Sequence, residues 1–498
     1  MALSARGARA VQPALPYWAR FAEGVADLYD EASNPAGYIL MAVAEARGSF
    51  ERMIPRLTAA RAAAIVPDTG AYANMLGRAA LRGAFAATMS RTALRGRVAV
   101  DPEQLCVSAG CGSVLLQLAM LLLDPGDGVL LPTPTYAALY NDIGTLAHGV
   151  VVDVPTEAAG YRLTRRALDD ARTRAAAAGV PLRMLLLLNP ENPTGVIHSA
   201  AELRLARGFC AEHGLHLVVD EVYANSVHDP APEDAAGGGG GGGHDAEDGQ
   251  GGDDAGAAAA GDAGDRGTGA GCRRRVRFHS IVELCAEDAG VAAQPPAPPA
   301  LAAAGAPPAA RASFLGDSIH VLWGFSKDWA MSGYRVGVLY THNAALLTAL
   351  SNVNYFTACS NDTQDMLAGV LADATWCDDY LAHCRGQLRA AFTGLRDVLV
   401  GAGIPFVHPQ GGMFVWLDLR ALLPPPAAGD DAAGFARERR LTDELFREAR
   451  VLMTPGEACH AAAPGWYRCC FAWMPPRAVR VGFERLAAYA AGRRAACQ

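Results

Sequence analysis

The chain has 498 residues, 51% of them hydrophobic, and a formal charge of −8 at pH 7. That is apolar material for two or three domains with sizeable cores, which excludes a peptide, a coiled coil and a wholly disordered chain. No uninterrupted apolar run reaches the roughly 18 residues a bilayer span needs, and half of the negative excess lies in residues 233–277, where nine acids face five arginines. The expectation is therefore a soluble protein that uses neither a membrane nor a nucleic acid as partner.

Residues 1–20 carry three arginines and no acid, a faint likeness to an organelle transit peptide. The twelve cysteines show no C-x-x-C pair or repeated His/Cys spacing, so they read as neither a zinc site nor a disulfide framework. A reducing compartment, the cytoplasm, is expected.

Short apolar runs bounded by turn signals then recur at 105–108, 128–131, 150–154, 184–188, 215–219, 319–323 and 336–340. Continuous runs of this length read as strands buried on both faces, and the segments between them, such as 202–210, carry helical patterns. The prediction is an α/β fold around a mostly parallel seven-stranded sheet, with ligands beyond the carboxyl ends of the strands. Residues 230–277, with seven consecutive glycines, and the Ala/Pro-rich 286–310 read as disordered, while FHSIVEL (278–284) between them keeps a folded pattern. Treating 230–311 as one interrupted insertion leaves 416 residues, enough for a two-domain enzyme. From residue 352 onward the pattern is helix-rich, longest over 363–398, with short strands near 413–417 and 467–471 and a Pro/Ala loop at 421–434. This predicts a smaller α+β domain (346–498) after an N-terminal arm (1–50) and a large domain (51–345).

Of the 43 basic residues, 42 are arginine and one, Lys327, is lysine. Arginine supplies charge and a long stem but no deprotonatable primary amine. A lysine that persists in so arginine-biased a chain points to Schiff-base or general-base chemistry. It follows the apolar run 319–323, and Arg335, eight residues on, can return to the same crevice as an anion clamp. Asp220 ends the run in LHLVVDEVY, where a buried carboxylate is costly unless it meets a cation such as a protonated pyridine nitrogen. Glu221 beside it is the candidate for a solvated acid that opens a loop. In LLLLNPENPTG, Asn189 and Asn192 follow another strand; Asn-Pro pairs terminate strands, and the rigid turn can also aim Asn192 at a ligand oxygen.

NPENPTG (189–195), DEVY (220–223) and SKDWAMSGYRVG (326–337), in this order, resemble the fold-type I pyridoxal-phosphate enzymes of the aspartate aminotransferase superfamily, from about Pro16 to Phe483 apart from the insertion. The resemblance implies pyridoxal 5'-phosphate bound through a Lys327 Schiff base, Asp220 on the pyridinium nitrogen, and Asn192 and Tyr223 on the ring hydroxyl. It also implies that Tyr136 in LPTPTYAAL stacks on the ring, and that the backbone at Gly110, Cys111 and Gly112, with Ser326 and Arg335, cradles the phosphate. Arg468 in PGWYRCCFA would bind the substrate α-carboxylate. Tyr72 would reach the phosphate of the partner subunit's cofactor, which implies a homodimer with shared active sites. Where family members have serine or threonine this chain has Gly112, and where they have serine it has Gly324; a lower phosphate affinity follows.

LPYWARFAEGVADLYDEASNPAGYILMAVAEA (15–46) and TPGEACHAAAPGWYRCCFAW (454–473) are similar to the 1-aminocyclopropane-1-carboxylate synthase group in particular. Glu45 matches the arm glutamate that the synthases place in the active site. The synthases follow it with Asn and then Leu two further on; here stand Ala46, Arg47 and Gly48, and an arginine there would set a second cation near a cationic sulfonium substrate. Transamination asks only for the shared core. The reading is therefore an aminotransferase acting on an L-amino acid and a 2-oxo acid, with the synthase as the alternative. A cofactor-binding protein without turnover is a third possibility, which Lys327, Asp220 and Arg468 argue against.

Overall fold

All seven apolar runs become strands of one sheet in this computed structural model, which describes residues 17–228, 277–291, 313–427, 429–431 and 434–496, together with 3, 4, 7 and 11. After β1 (Ile39–Leu40), the runs form β2 (Leu105–Ser108), β3 (Gly128–Thr133), β4 (Val150–Pro155), β5 (Leu182–Leu188), β6 (His216–Asp220), β7 (Ile319–Gly324) and β8 (Gly337–Thr341). Their order across the sheet is β2-β8-β7-β6-β5-β3-β4, with β8 antiparallel to both neighbours and the rest parallel. Alternate residues serve opposite faces: Leu185, Leu187, Leu217, Val219 and Val321 enter one apolar cluster, and Met184, Leu186, Leu188, Val218 and Leu322 the other. Both faces are covered, which is why these strands read as continuous apolar runs. The exception is β4. Expected to be buried on both faces, it is one of the sheet's two edges, paired only with β3, with Val150 exposed and its next three residues half-buried, whereas β2 at the other edge is buried throughout.

The order reverses between β3 and β5, where the chain, having added β4 outside β3, returns to build β5, β6 and β7 on the other side. A crevice opens beyond the carboxyl ends of strands at such a reversal. The Cys111–Leu122 helix starts at this end of the sheet, as do the turns after β3, β5, β6 and β7.

The remaining strands are β9 (Phe406–Val407), β10 (Phe414–Asp418), β11 (Val451–Leu452), β12 (Thr454–Pro455) and β13 (Trp466–Cys470). Four form an antiparallel sheet, β12-β13-β10-β9, while β11 pairs in parallel with β1 from the N-terminal segment. A third apolar cluster lies here, joining β10 and β13 to the helices Ala374–Gly401 and Pro476–Ala496. The long amphipathic stretch after residue 363 divides between the helices Asn361–Leu371 and Ala374–Gly401; the Asp373 carboxylate caps the second by accepting from Trp376 N–H.

FHSIVEL is folded: Phe278 is buried and the helix Ile281–Asp288 follows, capped by Ser280. This moves one expected boundary. Ala286, read as the start of a disordered stretch, is buried in that helix, and the described chain continues to Val291. Residues 229–276 and 292–312, most of the expected insertion, lie outside the described residues. Among the described residues no helix is long and apolar enough to cross a membrane.

Candidate active site

The crevice holds a pocket of about 410 Å³. Lys327, Asp220, Asn192, Tyr223, Tyr136 and Arg468 line it, and so do Cys111, Gly112, Ser326, Arg335 and Glu45. Most arrive from the ends of the large sheet's strands. Tyr136 stands three residues past β3, Asn192 four past β5, Asp220 closes β6, and Lys327 stands three past β7. Arg335 comes from the opposite sense: β8 runs antiparallel, so its first residues lie at the same sheet edge. Arg468 projects from β13 of the second sheet.

Lys327 Nζ donates to the Ala44 carbonyl at 2.7 Å. Burial, then the positive charge of Arg468, hold its amine below the usual lysine range. The Asp220 carboxylate accepts from the Val222 N–H at 3.1 Å. Burial pushes its pKa up to about 6, against the pull of that N–H and of Lys327, so this acid is short of a cation. Glu221 is not the solvated acid it was expected to be. It is 1% exposed and accepts from Ser280 Oγ (2.7 Å), Ile281 N–H (2.9 Å) and Trp323 Nε1 (3.1 Å), tying the Ile281–Asp288 helix to the sheet. The pleat of an extended strand turns consecutive residues to opposite faces, so Asp220 meets the pocket and Glu221 the core.

At the end of the pocket where the sequence places the phosphate cradle, the Cys111–Leu122 helix opens on Gly110 (φ +89°) without a side-chain cap. A Cβ on Gly110 would lie 2.5 Å from the Arg335 guanidinium; the glycine thus permits both the left-handed turn and the close approach of a cation to an uncapped helix start, a combination that favours an anion. Gly324 has a local reason as well. A Cβ there would lie 2.8 Å from Cys111 Sγ, which itself donates to the Trp323 carbonyl at 3.2 Å, so the cysteine occupies the space a serine would need.

Arg468 is 2% exposed. It donates from Nη1 to Asn192 Oδ1 (3.1 Å) and from Nη2 to the Ala42 carbonyl (2.6 Å) and Thr454 Oγ1 (3.0 Å), while its buried Nε finds no partner among the described residues. A lone amine, a carboxylate lacking its cation, an anion cradle and an unpaired guanidinium N–H in one pocket fit pyridoxal phosphate and an amino-acid carboxylate.

Three further observations lay beyond the sequence. Tyr72 does not line the pocket of its own chain and is 89% exposed. Arg47 does not reach the pocket either: its guanidinium stands 4.9 Å over the Trp473 ring, in a neighbouring cavity of about 650 Å³ that shares Glu45 and Ser332 with the first. The expected second cation beside the substrate is thus turned onto an aromatic face, where a cation is favourably held. Asp142, on the short helix Ala138–Gly144, lines the pocket, its pKa pushed up to about 7 by burial and by Asp220. Nothing in ALYNDIG marks it, because its direction is set by the packing of this helix against the Cys111–Leu122 helix and β4.

A family model for aminotransferase class I and II matches residues 39–241 and 297–486. Among curated relatives, 1-aminocyclopropane-1-carboxylate synthase 4 of Oryza sativa subsp. japonica is 32% identical over 95% of this chain and 86% of its own length. A probable inactive 1-aminocyclopropane-1-carboxylate synthase-like protein 2 of Mus musculus is 28% identical over 90% of this chain and 65% of its own. Among solved structures, aspartate aminotransferase from Thermus thermophilus with maleate matches with a TM-score of 0.67 at 20% identity, over 98% of this chain and 100% of that one. The chain belongs to the aminotransferase class I and II family, in its 1-aminocyclopropane-1-carboxylate synthase-like branch, and its cofactor is pyridoxal 5'-phosphate.

Proposed function

We propose that the protein is an aminotransferase that moves the amino group of an L-amino acid to a 2-oxo acid. The observation that carries this is the convergence of its only lysine, a buried carboxylate lacking a cation and a buried arginine on one pocket. When bound, pyridoxal phosphate supplies a cationic ring that draws electrons from the substrate's α-carbon. Asp220 would hold the ring nitrogen protonated, Asn192 and Tyr223 would hold the ring hydroxyl, and Tyr136 would stack on the ring. The backbone at Gly110, Cys111 and Gly112, with Ser326 and Arg335, receives the phosphate.

Lys327 anchors the cofactor covalently. Its amine, held below the usual lysine range by burial and by Arg468, would serve as the base that takes a proton from the substrate's α-carbon at Nζ and gives it back. Arg468 orients the substrate by exchanging the Ala42 carbonyl for the α-carboxylate, a charged acceptor that two guanidinium N–H groups can grip together. Tyr72, exposed on its own chain, is proposed to reach the phosphate in the partner subunit of a homodimer. An arm over 1–50, a large domain over 51–345 and a small one over 346–498 are proposed on the same footing, supported by the apolar cluster around β10 and β13, while Leu346, Leu350 and the helix Asn361–Leu371 pack into the clusters of the large sheet.

The second reading is 1-aminocyclopropane-1-carboxylate synthase, which Glu45 favours: its carboxylate lines the pocket beside Lys327, while Arg47 is held away on Trp473. The test follows the visible band of the bound cofactor with S-adenosylmethionine and then with single amino acids, no 2-oxo acid being present. Stoichiometric conversion to the amine form of the cofactor by an amino acid supports the aminotransferase and names its donor. Turnover of S-adenosylmethionine with the original band restored supports the synthase instead. A band that no candidate moves refutes both.

A further inference from the structure

Behind the pocket, beneath the turn that carries Asn192, lies a cluster of ionisable groups the reaction does not use. His198 is fully buried. Its Nε2 stands 3.3 Å from Glu191 Oε1 and its Nδ1 stands 3.8 Å from Glu202 Oε1. Glu191 comes from the turn after β5; Glu202 belongs to the helix Ala200–His213, where it completes a capping box with Ser199. Arg162, from the segment before the Arg165–Ala177 helix, reaches Glu202 at 3.2 Å, and the Thr194 hydroxyl donates to Glu191 at 2.9 Å. Those are the groups that face the imidazole. Burial works against its charged form, but the two carboxylates outweigh that cost and raise its pKa.

The cluster is joined to the site by one residue. Glu191 immediately precedes Asn192, and the turn is closed around it by Glu191 N–H to the Val196 carbonyl and Gly195 N–H to the Glu191 carbonyl, both at 2.8 Å. His198 N–H donates to Asn189 Oδ1, and Ile197 N–H to Gln410 Oε1. The turn has no slack. A Cβ on Gly195 would lie 2.6 Å from Pro409 Cβ. A displacement of Glu191 is therefore passed to Asn192, whose side chain accepts from Arg468.

We infer that His198 is a positioning residue: packed between the carboxylates of Glu191 and Glu202, it fixes the turn that sets Asn192 against Arg468 and the cofactor's ring hydroxyl. This rests on the roles proposed above for Asn192 and Arg468. Without the positive charge, Glu191 would be a buried carboxylate with one hydroxyl for company, and the turn would have to open or take up a proton.

The test compares the holoenzyme with His198→Asn, Glu191→Gln and the double variant, each checked for a folded melting transition. In His198→Asn, the KM for the amino donor should rise about tenfold with kcat within about twofold, and the pH midpoint of the bound cofactor's visible band should move by about one unit. The double variant, which removes both charges, should bring KM and midpoint back to those of Glu191→Gln. A single variant with unchanged KM and midpoint overturns the inference. So does a folded double variant that stays as impaired as His198→Asn, since the defect is then one of packing and not of charge. The band midpoint needs no turnover; should the wild type convert no amino acid, the proposed reaction fails while the role of His198 is still decided.

Discussion

Lys327 has a nitrogen whose use depends on losing a proton, and this sets the first expectation. Lys327→Arg keeps the charge and most of the stem but offers no nucleophilic amine. The variant should lack the visible band of covalently held cofactor, and its turnover should fall by about three orders of magnitude or more, measured by absorbance and by single-turnover assay. Asp220 supports a prediction about pH. Its carboxyl is raised to about 6 in the folded protein from an unfolded value near 3.9. Its contribution to the stability of the cofactor-free protein is complete below the unfolded value and lost as pH rises through about 6. Asp142, Glu221, Asp328 and Glu438, each raised to about 7 by burial first of all, slope the same way. The apoprotein should therefore melt at lower temperature at about pH 7.5 than at about pH 5, and Asp220→Asn should reduce that slope. Cofactor should raise the melting temperature more at the higher pH if, as proposed, its ring nitrogen is the cation Asp220 lacks. Calorimetry of apo and holo forms at the two pH values checks this. Both residues were legible in the sequence, Lys327 by its rarity and Asp220 by its place at the end of an apolar run. Glu221 was not, because its partners lie 59 and 102 positions further along the chain.

Between elements, the contact of β7 with the start of the Cys111–Leu122 helix explains one departure from the family pattern. Gly324 and Cys111 share a space that holds one side chain. Gly324→Ser alone should overpack it and cost about 1–3 kcal/mol, visible as a lower melting temperature. Adding Cys111→Ala should recover most of that loss, and the restored hydroxyl should tighten cofactor binding in a fluorescence titration. A single Gly324→Ser variant as stable as wild type would contradict the packing argument. Each residue is plain in the sequence; that they exclude one another is not, since they lie on elements more than 200 positions apart.

For the molecule as a whole, the exposed Tyr72 ring carries the prediction of shared sites. Tyr72→Phe and Lys327→Ala chains, each impaired alone, should complement when refolded together. In a random mixture of equal parts, about a quarter of the sites would contain neither defect, and about that share of activity should return. No recovery in a mixture shown to contain hybrid dimers would place Tyr72 outside the partner's site. A second expectation concerns residues 231–275. The described residues that line the pocket all lie elsewhere in the chain, so deletion of the segment should leave cofactor binding unchanged; loss of the cofactor in a folded deletion variant would show that the segment supports the site.

The seven strands, the helix-rich region that follows, and the placing of the candidate residues at strand ends were determined by the sequence alone. These features are written locally: a run of apolar residues makes a buried strand wherever it lies, and a turn at its end presents whatever residue comes next. The tertiary structure alone decided that β4 is an edge, that Glu221 is buried, that Arg47 lies on Trp473, and that Asp142 and the Glu191–His198–Glu202 cluster stand where they do. Each of these depends on partners distant in the sequence or on which strands meet across the sheet, and for a charged side chain it is those partners, not the neighbours in the chain, that set burial, charge state and role.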